Sequence, residues 1–563
     1  MKRLFLFIFL VNGLNAMGQG FSGVQAFQAD IILHQTSYTG GQASIGKMAF
    51  DGANNKYILG TFNGIMDVDP GPNVNTITSN DNGEAILIKE DAAGNFVWVK
   101  RFGDSRKNQG VSLTELETDA TGNIYVAGSV TDSFDLDPGP NVFSFSKRGS
   151  FIMKLDSSGN FVWAKGFEVD TVPNSIIIND MKVVGNAIYV GTSFYGTVDL
   201  DPGPGISKVT STSTVYRDMA LIKLDTAGNF IWGNAILGTQ KDNMNALAVD
   251  NAANVYITGG FEDTVDFDPG PGVFKLTETP WSLGFNFGYF SDIFIAKYDA
   301  AGNLAWAHSI GGHYDDEGKG IAVDRFGNVF VSGSYNSSSN YLNAIDFDPG
   351  PGVFTLNVAK TNFMLKLRNN GDFAWARNAG GGAITTDDTG NVYSGLQKLD
   401  SSGNIVLTGA WQAAYWGGDI PKIGWMGLDR KDTIYLTGSF SGYNTDFDPG
   451  KGVFLLSPLH YATSAGFILK LNQIPNPIST GIEGVNSQAD LSVFPNPSSG
   501  IVTFSSPIAI RRISVTDMAG RLVYVNKPNK AKTVIDLGGT ASGVYFYEVD
   551  CGSGKQRGKL VIY

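Results

Sequence analysis

Paired carboxylates recur along this sequence and could do chemistry. They occur in the pattern D-x-D-P-G, in which one residue separates two Asp residues and a Pro-Gly turn follows. Because alternate residues of a β-strand share a face, the two carboxylates of a pair are expected to lie about 6.6 Å apart. The pairs are Asp67 and Asp69, Asp135 and Asp137, Asp199 and Asp201, Asp266 and Asp268, Asp346 and Asp348, and Asp446 and Asp448.

Each pair has a structural interpretation and a metal-binding one. Pro fixes φ and Gly allows a tight turn, so the pattern predicts a rigid hairpin between two strands. Carboxylates and turn carbonyls also suit Ca²⁺, which takes about six to eight oxygen ligands. One motif offers only about three or four oxygens and lacks the bidentate Glu that ends an EF-hand loop. The structural interpretation is therefore favoured, and calcium is the one cofactor to test.

Aromatic residues cluster in segments that interrupt a repeated pattern, and these segments are candidate ligand-binding sites. Residues 277–292, 334–345 and 411–425 place aromatic rings beside amide and carboxyl groups. Such mixtures suit sugars, whose apolar faces stack on rings and whose hydroxyls form hydrogen bonds. The alternative is that these loops pack on themselves or on their neighbours. The candidate ligand contacts are Trp281, Phe285, Phe287, Tyr289, Trp411, Tyr415, Trp416 and Trp425.

Signatures of catalysis are missing from the sequence. It contains no G-x-S-x-G nucleophile elbow, no P-loop and no H-E-x-x-H motif. His308 and His313 lie five residues apart beside a Gly-Gly turn, where a surface position is favoured over a metal site. The sequence therefore predicts a protein that is not an enzyme and has no catalytic residues. The enzymatic alternative is a pair of carboxylates that cleaves a polysaccharide, because acids are plentiful.

Composition and charge narrow the class of protein further. Of 563 residues, 71 are Gly, 17% are charged and 12% are aromatic, which suits short strands joined by tight turns. Apolar residues make up 42%, enough for a sizeable core. A net charge of −12 argues against nucleic acid as a partner, and a single Cys excludes a disulfide framework. No stretch is apolar and long enough to predict a transmembrane segment.

The D-x-D-P-G pattern belongs to a longer repeat with four apolar runs per unit, each of which predicts a strand. An aromatic residue marks the second run at Tyr57, Tyr125, Tyr189, Tyr256, Phe330, Tyr393 and Tyr435. A Lys marks the third run at Lys89, Lys154, Lys223, Lys297, Lys366, Lys398 and Lys470. The fourth run carries Trp98, Trp163, Trp232, Trp306, Trp375 and, in a degenerate copy, Leu407. Groups shared by nearly all units predict contacts of the scaffold rather than catalysis.

The number of strands predicts the architecture. The seventh unit lacks a fourth run, and residues 27–35 supply an extra strand before the first unit. An N-terminal strand that completes the last unit would close a ring and remove sheet edges that aggregate. In the sixth unit NVYSG runs almost directly into LQKLD, so the D-x-D-P-G hairpin is deleted there. The predicted fold is all-β, a seven-bladed β-propeller over residues 19–472 with N-terminal strand closure.

The repeat also carries a family resemblance. The phrases DxxGNxYVxG and KLDxxGNxxW resemble the bacterial β-propeller repeat family of secreted proteins. The resemblance covers roughly residues 27–472 and implies a secreted propeller.

The start of the chain predicts export. Lys2 and Arg3 precede the apolar run Leu4–Val11, and Ala16 and Gly18 provide a small-residue cleavage site. This is the pattern of a secretory signal peptide over residues 1–18. The apolar run is too short for a membrane-spanning helix, which needs about 20 residues.

The other end predicts a linker and a second domain. Residues 473–489 are polar and rich in Pro, Gly and Ser, which is typical of a linker. Residues 490–563 contain short strands separated by turns and predict a small β-sandwich. The lone Cys551 follows a strand in this segment and is interpreted as a thiol without function.

In that second domain the motifs FPNPSSG, DMAGRLVY, SGVYFYEV and GKLVIY, in this order, resemble the type A C-terminal sorting domain of the type IX secretion system. The resemblance implies passage through the periplasm, export by the type IX machinery, and a source among the Bacteroidota. It also implies cleavage of the domain, followed by release or attachment to the cell surface. One departure from the family is that the last four residues, after Lys559, are apolar.

Together these features predict a secreted or surface-displayed propeller that acts as a binding or interaction module. Its predicted partners are the secretion machinery and either a glycan or a surface protein. The alternatives are a structural adhesion or matrix protein without a discrete ligand, and a polysaccharide-active enzyme.

Overall fold

The structure is a computed structural model in which the described residues form two compact units, one within residues 1–475 and one within 476–563. These residues form strands, turns and loops and contain no α-helix, so none of them forms an apolar helix that could cross a membrane. The described residues are 27–34, 42–70, 73, 75–79, 83–103, 111–145, 148–168, 175–213, 215–280, 290–336, 345–356, 362–408, 421–441, 445–447, 455–456, 464–473, 491–494, 498–517, 520–541, 543–551 and 555–562.

The first unit begins with strand β1 (Phe27–His34) and continues with sheets of four consecutive antiparallel strands, which we label A to G. Most sheets carry a short two-stranded ribbon between their second and third strands. Sheet A contains β2 (Gln42–Phe50), β3 (Lys56–Asn63), β6 (Glu84–Glu90) and β7 (Phe96–Phe102), with ribbon β4 (Ile65–Asp67) and β5 (Thr76–Thr78). Sheet B contains β8 (Val111–Thr118), β9 (Ile124–Val130), β12 (Gly149–Leu155) and β13 (Phe161–Glu168), with ribbon β10 (Phe134–Asp135) and β11 (Ser144–Phe145).

Sheets C and D are joined by a ribbon. Sheet C contains β14 (Ser175–Val184), β15 (Ala187–Tyr195), β18 (Asp218–Asp225) and β19 (Phe230–Gly238), with ribbon β16 (Thr197–Asp199) and β17 (Lys208–Thr210). Sheet D contains β20 (Asp242–Val249), β21 (Val255–Phe261), β24 (Asp292–Tyr298) and β25 (Leu304–Ile310), with ribbon β22 (Thr264–Asp266) and β23 (Lys275–Thr277). Because β22 also pairs with β19, the ribbon of sheet D extends sheet C to six strands.

The last three sheets differ in size. Sheet E contains β26 (Glu317–Val323), β27 (Val329–Ser334), β28 (Asn362–Leu367) and β29 (Phe373–Arg377). Sheet F contains β30 (Ile384–Thr386), β31 (Val392–Ser394), β32 (Gln397–Leu399) and β33 (Ile405–Thr408), whose strands are only three or four residues long. Sheet G contains β34 (Lys422–Leu428), β35 (Ile434–Phe440) and β38 (Ala465–Gln473), with ribbon β36 (Thr445–Asp446) and β37 (Leu455–Leu456). In sheet G the fourth position is taken by β1, which pairs antiparallel with β38 from Phe27↔Gln473 to His34↔Gly466.

The sheets pack against each other through apolar clusters, each of which draws on two successive sheets. The cluster between A and B includes Leu87 and Met153, and the cluster between D and E includes Ile295 and Leu365. Further clusters join B to C, C to D, E to F and F to G. The last cluster joins G to A, where Ile468 meets residues of sheet A. Each sheet thus buries both faces, as in propeller-like proteins.

The second unit is a separate all-β domain. One sheet has the order β39 (Ser492–Phe494), β40 (Ile501–Ile510), β43 (Lys530–Asp536). The other has the order β42 (Leu522–Asn526), β41 (Arg512–Asp517), β44 (Gly543–Asp550), β45 (Lys555–Ile562). Phe504, Val515 and Leu560 are fully buried in the core that the two sheets share, and Cys551 is a buried free thiol beside them.

The pairing of β1 with β38 generates the first prediction. Deletion of residues 27–34 leaves the backbone of β38 unpaired on one side, and an open strand edge promotes association with other chains. We expect the Tm of the variant to fall by about 5 °C or more, measured by differential scanning calorimetry, and oligomers to appear in light scattering. Deletion of residues 19–26 alone is the matched control. An unchanged Tm and a monomeric variant would contradict a structural role for β1.

Candidate functional site

The D-x-D-P-G motifs form hairpins in which the first carboxylate binds backbone N–H groups. In the fourth unit, Oδ1 of Asp266 accepts hydrogen bonds from the N–H groups of Asp268 (3.2 Å) and Phe274 (2.9 Å). Phe267, between the two acids, is fully buried, and its N–H donates to the carbonyl of Phe274 at 2.9 Å. The same two bonds to Oδ1 recur at Asp67, Asp135, Asp199 and Asp346. The first acid therefore holds the hairpin in place above a core residue.

The second acid of the motif also serves the turn. Oδ1 of Asp268 accepts the N–H of Gly270 at 2.8 Å, and the same bond is made by Asp137, Asp201 and Asp348. Within the described part of the chain, no group of three or more His, Cys, Asp or Glu side chains could hold a metal ion. Asp446 lies in β36, and Asp448 lies outside the described residues. This geometry favours the hairpin interpretation, while calcium binding stays a prediction.

Five of the seven repeated Lys residues connect their unit to the next one, in agreement with a scaffold role. Nζ of Lys89 donates to the carbonyl of Ser157 at 2.8 Å and lies 5.0 Å from the centre of the Tyr57 ring. A cation over an aromatic face is stabilised by about 0.5–1 kcal/mol at an exposed site. Lys154, Lys223, Lys297 and Lys366 make the same two kinds of contact. Three Trp side chains donate to the same carbonyls: Trp232, Trp306 and Trp375.

Most of the predicted aromatic ligand contacts lie outside the described residues; these are Trp281, Phe285, Phe287, Tyr289, Trp411, Tyr415 and Trp416. Trp425 lies in β34 rather than in a loop, where it is half-buried and packs against the cluster shared by sheets G and A. Its role in ligand binding stays a prediction. His308 is half-buried with its ring centre 5.2 Å from that of Trp306, and burial lowers the pKa of its imidazole.

A set of charged residues that does not repeat lies on the first strands of sheets A, B and C. Lys47 on β2 pairs with Glu115 on β8, and its Nζ lies 3.7 Å from Oδ1 of Asp180 on β14. Lys182 on β14 pairs with Asp180 at 2.9 Å and with Glu117 on β8 at 3.0 Å. A bulge in each of these strands shifts the register beside the charged residues and so decides where they point. The network ties three sheets together at their first strands.

Burial and neighbouring charges act in opposite directions within this network. Burial raises the pKa of Glu115 to about 8. Burial also opposes the charge of Asp180, but the cations of Lys182 and Lys47 outweigh it and lower the pKa of Asp180 to about 2. Breaking one partner of such a set leaves a poorly solvated charge behind, which is costly. Because each of these side chains contacts another member of the network, we interpret the network as part of the framework.

Two buried carboxylates meet between sheets C and D. The carboxylate of Asp218 accepts N–H groups from Gly238 at 2.7 Å and from Thr212 at 2.8 Å. Asp242 is fully buried, and its Oδ2 accepts no hydrogen bond from a described residue. Burial, together with repulsion from Asp218, raises the pKa of Asp242 to about 9. Asp242 therefore carries a proton at neutral pH in the folded protein.

A cavity of about 560 Å³ opens between sheets E and F, and we call it the E–F groove. Its walls come from strands β28 and β29, the turn that joins them, and the corresponding turn of sheet F. The groove combines cationic, aromatic and hydroxyl side chains: Lys366, Arg368, Arg377, Trp375, Phe354 and Ser402. Its size lies within the range of small-molecule sites, which is about 300–1,000 Å³. Lys366 is one of the repeated Lys residues, and neither Arg368 nor Arg377 belongs to a recognised binding motif, so the sequence did not predict this groove.

Comparisons with known proteins match one segment in each of the two units. Residues 492–563 match the family described as "secretion system C-terminal sorting domain", and residues 305–340 match the family described as "beta-propeller repeat". Both resemblances drawn from the sequence motifs are confirmed. The protein therefore carries a type IX secretion sorting domain, which indicates secretion or outer-surface localisation and interaction with the secretion machinery.

Individual relatives are distant. An uncharacterised WD repeat-containing protein of Acanthamoeba polyphaga mimivirus is 25% identical over 486 residues, which cover 75% of this chain and 32% of that protein. The chain thus spans about a third of the length of this relative.

Solved structures with similarity to the chain include a protein of unknown function from Dyadobacter fermentans, with 11% identity, coverage of 80% of this chain and 100% of that one, and a TM-score of 0.37. PorZ of Porphyromonas gingivalis is described as an essential bacterial surface component of the type IX secretion system. It has 11% identity, the similarity covers 92% of this chain and 81% of PorZ, and the TM-score is 0.24.

The hairpin geometry generates the second prediction. Asp266→Ala removes the carboxylate oxygen that accepts two backbone N–H groups, and it is expected to lower the Tm by about 1–3 °C, in the presence of Ca²⁺ and of a chelator alike. Differential scanning calorimetry of the full chain measures both. Lys275→Ala, an exposed change on the same ribbon, is the control and should leave the Tm unchanged. A wild-type Tm that rises with Ca²⁺ and falls with chelator would favour the calcium interpretation instead.

The protonated Asp242 generates the third prediction. A carboxyl whose folded-state pKa lies above its unfolded value stabilises the fold at low pH, and that contribution is lost as the pH rises towards the folded-state pKa. Asp242→Asn removes this titration, so its Tm should exceed that of the wild type by a margin that grows from pH 5 to pH 8, reaching about 2–5 °C. Thermal melts across that range measure the margin. A constant difference between the two proteins would argue that Asp242 is ionised in the fold.

Proposed function

We propose that this protein is a seven-bladed propeller, closed by its N-terminal strand, that serves outside the cell as a binding module. Three observations support the blade count and the closure. The four-stranded sheets A to G follow one another along the chain. Their apolar clusters join each sheet to the next and sheet G to sheet A. Strand β1 occupies the fourth position of sheet G.

The E–F groove is the feature of the structure that best supports a binding function. Most of the repeated Asp and Lys side chains and three of the repeated Trp side chains form hydrogen bonds within or between units, as Asp266, Lys89 and Trp306 do. A ligand-specific surface must therefore come from residues that depart from the repeat. The E–F groove is such a departure, because the Asp that opens the turn between third and fourth strands in other units is Arg368 in sheet E.

The proposal favours binding over catalysis. In the D-x-D-P-G motifs the described carboxylates accept backbone N–H groups, which leaves them poorly placed as a general acid and base pair. A glycan or a surface protein is the proposed partner, and the sorting domain delivers the propeller to the place where such partners occur.

The fourth prediction tests this function with the full secreted chain. We expect saturable binding to a subset of glycans on an array, without turnover of the bound polysaccharide. Binding should follow the propeller and persist after the sorting domain has been cleaved. Retention in the extracellular matrix without saturable binding would instead favour the structural alternative. Release of reducing ends from a polysaccharide would favour the enzymatic alternative.

A further inference from the structure

We propose that the E–F groove binds the negatively charged group of an acidic sugar within an extracellular polysaccharide. This inference rests on the proposed binding function and deepens it by naming the ligand class and the residues that recognise it. Three cationic side chains line the groove, Lys366, Arg368 and Arg377, and the cation at Arg368 departs from the repeat.

The three cations of the groove are held by carbonyl groups rather than by carboxylates. Nζ of Lys366 donates to the carbonyl of Ser401 at 2.9 Å. Arg377 donates through Nε to the carbonyl of Gly403 at 3.2 Å, and Nη1 of Arg368 donates to the carbonyl of Phe373 at 2.7 Å. Among the described residues, no carboxylate lies within ion-pair distance of these cations. Carbonyl acceptors orient the cations without a direct ion pair, although the more distant carboxylates of Asp324 and Asp400 attract the charge of Lys366.

The guanidinium groups keep donors for a ligand. An Arg side chain has five N–H groups in a planar fork that matches a carboxylate or a sulfate. The bonds to protein carbonyls use two of them in Arg377 and one in Arg368. Arg368 is exposed and Arg377 is half-buried, so an anion in the groove can reach both.

Comparison with the other units shows that the positive charge at Arg368 is specific to sheet E. The residue that corresponds to Arg368 is an acid at Asp91, Asp156, Asp225, Asp299 and Asp400. In those units its carboxylate accepts N–H groups within its own turn, as Asp156 does from Ser158 (2.8 Å) and Asn160 (2.9 Å). Sheet E replaces this anion with a cation and places it beside Lys366 and Arg377. Clustering three like charges costs stability in the absence of an anion, which is typical of a ligand site.

The remaining walls of the groove favour a sugar as the carrier of the anion. Phe354 stacks on Phe373 with ring centres 5.0 Å apart and offers a half-buried apolar edge. Ser402 and Asn328 add hydroxyl and amide groups that suit sugar hydroxyls. The whole chain has a net charge of −12, which disfavours a long polyanion across its surface and favours recognition of single charged residues in one basic groove.

The fifth prediction tests the groove by restoring the sequence of the other units. The double variant Arg368→Asp, Asp372→Asn rebuilds the D-x-x-G-N turn, and Arg377→Asn copies Asn234 of sheet C, so both variants are expected to fold. Isothermal titration calorimetry of the full chain uses an oligogalacturonate as carboxylate probe, a sulfated galactose oligomer as sulfate probe, and a neutral galactose oligomer. We expect the wild type to bind at least one acidic probe and not the neutral one. Each variant should weaken that binding about tenfold or more.

The matched control is Lys165→Asn, which removes a cation at the same position of sheet B. It should leave the affinity unchanged, whereas about 0.5 M NaCl should weaken wild-type binding because the groove is open to solvent. Thermal melts verify that all variants are folded.

Three outcomes would overturn the inference. If the wild type and the groove variants bind the acidic probe with equal affinity, the anion binds outside the E–F groove. Equal binding of poly-glutamate and of the acidic sugar would exclude recognition of a sugar. Binding of neutral glycans on the array, without binding of either acidic probe, would refute the inference while leaving the proposed binding function intact. Absence of binding to every array glycan and probe would refute both.

Discussion

Packing of one sheet against the next is the constraint on which the rest of the repeat region depends. A strand of the second or third position, such as β3 or β24, is buried along nearly its whole length because its sheet has a neighbour on each face. The apolar clusters between successive sheets remove both faces from water, which is the main driving force of folding. This is why runs such as Tyr57–Leu59 are apolar without alternation and why the chain has so few charges.

The same constraint explains the use of the repeated polar groups. Turns leave backbone N–H groups without a partner in a strand, and Asp is suited to them because its carboxylate accepts several N–H groups at once. Asp266 does so in a hairpin, and Asp156 does so in a turn between strands. Lys89 performs the corresponding task across the boundary between units by donating to a carbonyl of the next sheet. A large share of the acids is therefore structural, although acids alone would suggest metal binding or acid–base chemistry.

Charges that depart from the repeat fall into two kinds. The network around Lys47, Glu115 and Asp180 is internally paired, and it links three sheets at their first strands. The cations of the E–F groove are bound to carbonyls and form no direct ion pair with a described carboxylate. The first kind contributes to the framework, and the second kind suits an external anion. This distinction depends on the partner of each charge rather than on the charge itself.

The sequence by itself determined the all-β class, the repeated unit, the resemblance to propeller repeats and the sorting domain. It could do so because each depends on local signals: strand-length apolar runs, D-x-x-G-N turns and motifs within a few residues of one another. The scaffold role of Lys89 and its counterparts also followed from their repetition. Only the tertiary structure decided which distant residues meet. Lys47 and Asp180 are separated by two units, and bulges in the first strands set the direction of their side chains. Arg368 and Arg377 became a site only when their strands were placed beside the turn at Ser401, because partner and burial are properties of the packed sheets rather than of the chain.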